Sequence, residues 1–390
     1  MKYRTFFIAC SMGVEEELQK EISEVWPFLR ESNGTLNSHL LPDFQVMRGG
    51  VEFEAPLELG LQLNFFLKLA NRILLRVDQF RAVEFPKLFH RCMQIEWSSL
   101  LSPGTKVAFE VSAEKSKLGQ EKKIAQVLKE VFEKRKFQVS TESKQDQKVD
   151  VQKVFVRFSS DVCTLSLDTS GVLLHKRGVG DLKGQAPLRE TWAQYCLRQM
   201  IQGRPFASLR EIVLLDPMAG SGTFLIEARQ LLSPVTTRGF SFQKWSLCPL
   251  FLKSAQFLSQ KRPQVFSKYI AIDADIKMSS IITENWLKLA EVDELHVITA
   301  DSNQLRKEIP KDSWLICNPP YGDRLDIEGG ATHQDLLNSW AKSLSPQKMA
   351  LLVPVAIASR LKAPHGYIRA SKIEFSNGGL PVSFLVWEIG

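Results

Sequence analysis

The chain has few of the residues that build disulfide frameworks or metal centres. Its 390 residues include six cysteines and six histidines, and both types are scattered along the sequence. No Cys-x-x-Cys pair occurs, so the spacing typical of zinc and redox motifs is missing. We therefore expect reduced, mostly buried thiols, as is usual for cytoplasmic proteins, and no metal site.

Long apolar runs are also missing. No stretch approaches the length of about 20 apolar residues that a membrane-spanning helix needs. The apolar segment Phe6–Cys10 is short, and three glutamates at 15–17 follow it, which is unlike a secretory signal. A cytoplasmic protein with no membrane partner is the expectation.

Negative charge is in deficit. Lys and Arg total 50 against 43 Asp and Glu, which gives a net charge of +7. This balance favours a polyanionic partner such as nucleic acid, although many enzymes with small substrates are as basic. At 390 residues the chain is long enough for roughly two or three domains, and its 44% hydrophobic content supports ordinary cores.

The carboxyl half alternates short apolar runs with helical segments, which is the pattern of a parallel sheet covered by helices on both faces. The runs that we predict to be strands are 212–215, 269–272, 296–300, 314–317, 349–353, 373–375 and 384–389. The last two are predicted to form an antiparallel hairpin that closes the sheet.

A glycine-rich turn follows the first of these strands, which ends at Asp216. Gly220 and Gly222 allow a tight turn and let a ligand approach the backbone closely. The start of the next helix favours a negative group such as a carboxylate. No Gly-Lys-Ser/Thr follows, and Leu225 stands where a dinucleotide fingerprint has its third glycine. A nucleotide-type ligand without a pyrophosphate fits better, and S-adenosylmethionine is one.

Acidic residues end the next two strands. Asp273 is placed to bind ribose hydroxyls, and Asp301 to accept a hydrogen bond from an adenine amine. Taken singly, each acid could simply cap the following helix. Because both acids end successive strands after the glycine-rich turn, together they predict a cofactor site. The predicted cofactor-binding residues are Asp216, Pro217, Gly220, Ser221, Gly222, Thr223, Asp273, Ala274, Asp301, Ser302 and Asn318.

The tetrapeptide Asn318-Pro319-Pro320-Tyr321 follows the fourth strand and predicts the catalytic site. The Asn318 side-chain oxygen and the Pro319 carbonyl can each accept a hydrogen bond from an amine on an aromatic ring. Tyr321 can lie against the face of the base. No ionised base is required, which fits a site where we expect no histidine nearby. Two prolines also make a rigid turn by themselves, so the motif alone is not decisive.

The amino half, to about residue 168, contains no catalytic constellation and is predicted to hold the substrate. Its basic loop 114–119 precedes an amphipathic helix over 122–134, where phosphate binding is one reading and a solvated charged face the other. Residues 175–177 could likewise contact phosphates or form an exposed hinge. The candidate nucleic-acid contacts are Lys115, Lys117, Lys122, Lys123, Lys176, Arg177, Arg189 and Arg324.

Together these motifs resemble the THUMP-domain class I methyltransferases of RNA, and most closely the guanine-N2 half of the bacterial large-subunit ribosomal RNA guanine-N2 methyltransferases. The similar segments cover nearly the whole chain in order, at 7–15, 49–53, 70–74, 174–178, 186–190, 216–223, 238–242 with Trp245, and 318–325. Ala219 replaces a frequent Cys and Asp323 a frequent Glu, and neither departure affects the expected chemistry.

The resemblance implies four parts of the chain. These are a ferredoxin-like subdomain over 1–55, a THUMP RNA-binding domain over 56–168, a linker over 169–190 and a Rossmann-like, seven-stranded class I methyltransferase domain over 191–390. S-adenosylmethionine would be held by Asp216, Gly220, Gly222, Asp273 and Asp301. Some relatives carry a second methyltransferase domain; because this chain ends at Gly390, one reaction is expected.

The expected activity is methyl transfer from S-adenosylmethionine to the N2 amine of a guanine in structured RNA. Ribosomal RNA is the first expectation and transfer RNA the alternative. An N6-adenine methyltransferase acting on DNA or RNA would use the same tetrapeptide. A catalytically silent RNA-binding assembly factor is a further alternative, against which the intact acids and tetrapeptide argue. A nicotinamide-dependent oxidoreductase is disfavoured by Leu225 and by the proline pair. The sequence carries no signal for an oligomeric state.

Overall fold

The chain folds into two compact units. The computed structural model describes residues 3–31, 35–140, 151–179, 188–253, 265–289, 294–302, 309–310, 312–321 and 332–390. Of the described residues, unit 1 contains those between Met1 and Lys176 and between Pro234 and Gln260, and unit 2 contains those between Arg177 and Ser233 and between Lys261 and Gly390.

Unit 1 is built on an eight-stranded sheet. Its strands are β1 (Tyr3–Cys10), β2 (Gln45–Met47), β3 (Gly50–Pro56), β4 (Ala70–Arg81), β5 (Lys106–Glu114), β6 (Gln138–Val139), β7 (Val151–Ser159) and β8 (Val162–Asp168). Their order in the sheet is β2-β3-β1-β4-β8-β7-β5-β6. The helices described in this unit are α1 (Glu15–Val25), α2 (Leu57–Phe66), α3 (Phe85–Gln94), α4 (Trp97–Leu100) and α5 (Glu121–Lys134).

The predicted boundary at residue 55 does not separate two compact units. Strand β1 pairs with β3 on one side and with β4 on the other, so residues 1–55 and 56–168 share one continuous sheet. Pairing between strands that are distant in sequence is not encoded in a local pattern, which is why the boundary could not be read from the chain.

A segment from the middle of the sequence completes unit 1. Residues 234–253, called the return segment here, belong to this unit although the residues before them belong to unit 2. The Arg238 guanidinium donates hydrogen bonds of 2.8–3.0 Å to the carbonyls of Ser170, Val172, Leu173 and Lys176. One side chain thereby holds the whole turn that follows β8. The sequence placed this segment in the catalytic domain.

Buried side chains also attach the return segment to the sheet of unit 1. The Gln152 side-chain oxygen on β7 accepts hydrogen bonds from the Ser241 hydroxyl, at 2.8 Å, and from the Trp245 indole, at 2.6 Å. The ring of Phe65 on α2 packs edge-on against Phe240 and Phe242, with centroids 4.8 and 6.0 Å away. These contacts make the return segment part of the hydrophobic core of unit 1.

Unit 2 contains a seven-stranded sheet. Its elements in chain order are α6 (Glu190–Ile201), β9 (Val213–Asp216), α7 (Thr223–Arg229), β10 (Lys268–Asp273), α8 (Ile276–Leu287), β11 (Leu295–Thr299), β12 (Ser313–Cys317), α9 (His333–Ser343), β13 (Lys348–Pro354), α10 (Val355–Ala358), β14 (Tyr367–Asn377) and β15 (Leu380–Ile389). The strand order is β11-β10-β9-β12-β13-β15-β14. Strands β9–β13 are parallel, and β15 runs antiparallel between β13 and β14. The predicted α/β fold class and closing hairpin are confirmed.

The central strands of unit 2 are buried on both faces, as expected for parallel strands between two helical layers. Every residue of β9 and of β12 is buried. On one face, Leu215, Leu315 and Met349 pack in the same cluster as Trp340 of α9. Because such strands cannot slide without exposing this core, the residues that follow them are held at fixed positions along one sheet edge.

Two further sequence expectations concern cysteines and membranes. All six cysteines are buried and unpaired, as predicted. In the described part of the chain, no helix is long and apolar enough to cross a membrane.

We predict that Phe242→Ala lowers the free energy of unfolding of unit 1 by about 3–5 kcal/mol, because it removes a fully buried ring. Urea denaturation measures the change, and hydrogen exchange at β7 and β8 amides reports unit 1 separately. The control is Leu250→Ala, since that return-segment side chain is 82% exposed. Equal stability of the two variants would show that the return segment is not part of the core.

Candidate functional site

The parallel strands of unit 2 bring the predicted site residues to one edge. The strands β11, β10, β9 and β12 are neighbours in that order, and their carboxyl ends lie on the same side of the sheet. Asp216 and Asp273 are the last residues of β9 and β10, and Asn318 directly follows β12. Open α/β sheets bind their ligands at this edge.

The glycine turn after β9 is held against the end of β10. The Gly220 amide donates to Asp273 Oδ2 at 2.8 Å, and the Ala219 amide donates to the Ile272 carbonyl at 2.9 Å. Gly222 has φ +81°, and a Cβ there would lie 2.3 Å from Ile282 Cδ1. A Cβ at Gly220 would meet no described atom within 4 Å, so the backbone is open to a ligand at this point.

Asp216 lies beneath the turn and is almost fully buried. Burial raises the pKa of its carboxyl to about 8, and the charge of Asp273 acts in the same direction. The Met218 amide, which donates to Asp216 Oδ1 at 3.1 Å, and the Cys317 thiol oppose this shift. Because Cys317 precedes Asn318, the Asp216 carboxyl links the glycine turn to the strand that carries the tetrapeptide.

Asp273 is fixed by two backbone amides. Its Oδ1 accepts from Asp275 at 2.9 Å, and its Oδ2 accepts from Gly220 at 2.8 Å. Each carboxylate oxygen has a second lone pair that can accept from a ligand hydroxyl. Ala274 beside it is exposed. Ile276, at the start of α8, is 69% exposed, which makes it an apolar surface at this edge that sequence reasoning missed. The signal available in the sequence was an apolar residue three positions after Asp273.

The remaining predicted cofactor residues differ in their surroundings. Asp301 is exposed, whereas the neighbouring Ser302 is buried and accepts a hydrogen bond of 3.1 Å from the Trp340 indole. Ser302 thus supports α9 rather than an open ligand surface. Pro217 is buried within the turn, and the hydroxyls of Ser221 and Thr223 lie 3.5 Å apart.

Asn318 presents an unsatisfied hydrogen-bond acceptor. Its side-chain oxygen Oδ1 is buried and accepts no hydrogen bond from any group that the structure describes. Leaving a buried acceptor without a donor costs about 1–3 kcal/mol, and a ligand that donates a hydrogen bond here would remove that cost. An amine is the complementary ligand group.

Two side chains from distant elements hold the rest of the tetrapeptide. His333, the first residue of α9, lies with its Nε2 3.0 Å from the Pro320 carbonyl, and since a carbonyl only accepts, the ring nitrogen donates. The Asn377 side chain, at the end of β14, hydrogen-bonds to the Tyr321 hydroxyl, while burial raises the pKa of Tyr321. The expectation of no nearby histidine is therefore wrong, because the fold brings in His333 from beyond the motif. Neither residue had a local sequence signal.

The basic residues of the 115–123 region form an exposed group in unit 1. Lys115, Lys117, Lys122 and Lys123 are all exposed. Asp161 holds their loop in place, because its carboxylate accepts from the Lys117 amide at 2.8 Å and its own amide donates to Ser116 at 2.9 Å. The later part of α5 differs, since its lysines at 129 and 134 pair with glutamates at 133 and 130. That part is the solvated charged face.

The prediction that Arg177 contacts nucleic acid is wrong. Its side chain is 1% exposed and lies 3.4 Å from the Glu227 carboxylate of α7, so it is not available to a nucleic-acid phosphate. The burial of a cation beside a distant acid gave no local sequence signal. Lys176 and Arg189 are exposed. Arg324 lies outside the described residues.

These residues fit S-adenosylmethionine. The open backbone at Gly220 admits a ligand, the Asp273 carboxylate can accept from ribose hydroxyls, and Ile276 offers an apolar surface for a purine ring. The unsatisfied oxygen of Asn318 lies at the same sheet edge.

Residues 177–374 match the RMKL-like methyltransferase domain family. The chain belongs to this family. Its membership confirms the predicted fold class and S-adenosylmethionine as the predicted cofactor.

One relative is similar to most of the chain. The chain is 29% identical over 337 residues to the ribosomal RNA large subunit methyltransferase K/L of Psychromonas ingrahamii. The match covers 82% of this chain but 42% of that relative, so the chain spans less than half of the relative's length.

Three solved structures are similar over essentially the whole chain. A possible methylase from Clostridium difficile 630 has a TM-score of 0.73 at 24% identity, with 100% of this chain and 99% of that chain covered. SMU.472, solved in complex with SAH, has a TM-score of 0.73 at 20% identity with the same coverage. TrmN from Thermus thermophilus has a TM-score of 0.69 at 20% identity and full coverage of both chains. At these identities the likeness shows the fold.

We predict that Asp216→Asn becomes more stable relative to the unmodified protein as pH rises. The pKa of this carboxyl is raised from 3.8 to about 8 in the folded state, so between these values the folded state holds a proton that the unfolded chain has released. Stability therefore falls as pH rises through this window, and an amide removes the effect. Unfolding free energies of the ligand-free proteins at pH 5 and pH 8 measure it.

The control for this prediction is Asp312→Asn, which changes an exposed aspartate of the same unit. An unchanged stability difference between Asp216→Asn and the unmodified protein at the two pH values would contradict the assignment of a raised pKa to Asp216.

Proposed function

We propose that this protein transfers a methyl group from S-adenosylmethionine to the N2 amine of a guanine in RNA, with large-subunit ribosomal RNA as the substrate. The observation that carries the proposal is the buried, unsatisfied Oδ1 of Asn318 at the carboxyl edge of the sheet. The name of the Psychromonas ingrahamii relative supports the choice of substrate.

The tetrapeptide offers hydrogen-bond acceptors to the target amine and contains no carboxylate. Asn318 Oδ1 accepts one N–H of the target amine, and the Pro319 carbonyl accepts the other. The Pro320 carbonyl already accepts a hydrogen bond from His333, so we assign it the role of positioning the turn. Two acceptors outside the plane of the base favour a pyramidal nitrogen, whose lone pair is otherwise delocalised into the ring. Geometry rather than proton abstraction then prepares the amine as a nucleophile.

Tyr321 supports the base on one face. Its hydroxyl is hydrogen-bonded to Asn377, so the ring has a fixed direction before substrate arrives. Stacking of a base on such a ring contributes about 1–3 kcal/mol, which offsets part of the unstacking that occurs when the base leaves its helix.

The cofactor is held by the neighbouring strand ends. When bound, S-adenosylmethionine supplies an electrophilic methyl group. Asp273 would accept hydrogen bonds from its ribose hydroxyls, Ile276 would pack against its adenine, and Asp301 would accept a hydrogen bond from the adenine amine. Gly220 and Gly222 let the cofactor approach the turn after β9, above the buried Asp216. The catalytic step then depends on where the chain holds the two reactants.

Unit 1 binds the RNA in this proposal, with residues 56–168 acting as a THUMP module. The exposed lysines at 115, 117, 122 and 123 support this assignment, because they lie on a loop of fixed backbone and on the first turn of α5. Cations at such positions contact phosphates and set affinity rather than sequence preference.

Nucleoside analysis tests the proposed reaction. Unmodified large-subunit ribosomal RNA, transfer RNA and DNA are incubated separately with the protein and labelled S-adenosylmethionine. Each is then digested to nucleosides, which are separated by chromatography and identified by mass spectrometry. We expect labelled N2-methylguanosine. Labelled N6-methyladenosine would overturn the choice of base, and label in transfer RNA or DNA alone would overturn the choice of substrate. Absence of label in all of these would favour the silent assembly factor.

We predict that Asn318→Ala lowers the rate of methyl transfer by at least about a hundredfold, because the acceptor that orients the amine is lost. Affinity for S-adenosylhomocysteine, measured by calorimetry, should change less than about threefold. The control is Asn338→Ala, which removes an exposed asparagine of α9. Rapid methylation by Asn318→Ala would refute the proposed role of this side chain.

His333 should act as a positioning residue. We predict that His333→Ala lowers kcat by about tenfold, since the Pro320 carbonyl loses its donor and the turn shifts. His333→Gln, which keeps a donor, should recover part of kcat, while KM for S-adenosylmethionine stays constant in both variants. The control is His296→Ala, at an exposed histidine on β11. Equal kcat for the Ala and Gln variants would contradict the role.

A further inference from the structure

A second group of cations lies in unit 2, outside the predicted nucleic-acid contacts. Residues 355–373 contain two arginines, two lysines and one histidine but no aspartate or glutamate. Arg369 donates to the Leu361 carbonyl, and Lys372 pairs with Glu374. Arg360 and Lys362 are exposed, and neither forms an ion pair with a described residue. We call residues 355–366 the cationic loop.

The topology of the sheet places the cationic loop at the site edge. Strand β13 runs parallel to β12, with Leu351 opposite Cys317. Because Asn318 follows Cys317 and β13 continues to Pro354, both strands lead out of the sheet on the same side. The cationic loop begins there with α10.

A pair of hydrogen bonds connects this loop to α9 near the tetrapeptide. The Lys362 amide donates to Gln334 Oε1 at 2.8 Å, and Gln334 Nε2 donates to the Lys362 carbonyl at 3.2 Å. The residue before Gln334 is His333, which binds the Pro320 carbonyl. The backbone of Lys362 is therefore fixed. Two consecutive residues of α9, Gln334 and His333, connect it through hydrogen bonds to the proposed catalytic turn.

Charge and position together indicate the ligand. A nucleotide whose base leaves its helix carries a phosphate on each side of its ribose, and these remain next to the protein surface around the pocket. Arg and Lys side chains bind such phosphates without reading sequence. A fixed backbone with two exposed cations and no nearby acid in sequence suits a phosphodiester rather than a neutral or cationic ligand.

We infer that Arg360 and Lys362 bind the RNA backbone beside the target nucleotide, so that unit 2 makes its own phosphate contacts. This inference rests on the proposed function and adds the residues that hold the strand at the catalytic pocket.

A charge-removing double variant, Arg360→Gln/Lys362→Gln, tests the inference. Binding of unmodified large-subunit ribosomal RNA is measured by filter retention over a series of KCl concentrations. We expect roughly tenfold weaker binding at low salt, and a log–log salt slope that is about 1.4 less steep, as for two lost single-strand phosphate contacts. Affinity for S-adenosylhomocysteine should be unchanged, which shows that unit 2 is folded.

The matched control is Arg210→Gln/Lys268→Gln. Lys268 begins β10 and Arg210 precedes β9, so both exposed cations lie at the opposite, amino-terminal edge of the same sheet. Salt slopes and affinities that are the same for the two double variants would overturn the inference. So would loss of turnover with unchanged RNA binding, or a protein that binds no RNA at all. RNA binding with the expected slope change but without a methylated nucleoside would instead refute the proposed function alone.

Discussion

The proposed site depends on one buried hydrogen-bond acceptor, the side-chain oxygen of Asn318. Burying an amide oxygen without a donor costs about 1–3 kcal/mol, and Asn318 Oδ1, which directly follows a fully buried strand, has no donor among the residues that the structure describes. The side chain follows a strand that the core of unit 2 holds in register, so it cannot easily move to find a partner. In the proposed function, the target amine supplies the missing donor, so the contact that binds the amine is also the contact that recognises it.

The surroundings of this acceptor come from parts of the chain that are far apart in sequence. His333 on α9 and Asn377 at the end of β14 hold the two residues that follow the proposed amine acceptors. Asp216, beneath the glycine turn, reaches Cys317 on the tetrapeptide's own strand. Each contact fixes backbone or ring direction without adding charge to the pocket. In the proposed function, these contacts fix the geometry of the site before the substrate binds, which a poor nucleophile requires.

The sequence predicted the features that depend on local pattern. Apolar runs marked the strands of unit 2, and these runs also predicted that Asp216, Asp273 and Asn318 lie at strand ends. Features that depend on distant contacts were missed or misassigned. Arg177 appears in a basic run but is buried beside Glu227, and the return segment packs in unit 1 although its sequence neighbours lie in unit 2. No sequence motif marked His333, because its hydrogen-bond partner is the backbone carbonyl of Pro320 rather than a side chain.

The most direct measurement is a crystal structure of the protein with S-adenosylhomocysteine and a short guanosine-containing RNA. The proposed arrangement predicts the guanine N2 within hydrogen-bond distance of both Asn318 Oδ1 and the Pro319 carbonyl, with the nitrogen facing the cofactor sulfur. A structure in which Asn318 Oδ1 is bonded to a protein group, or in which the base amine points away from the sulfur, would contradict it.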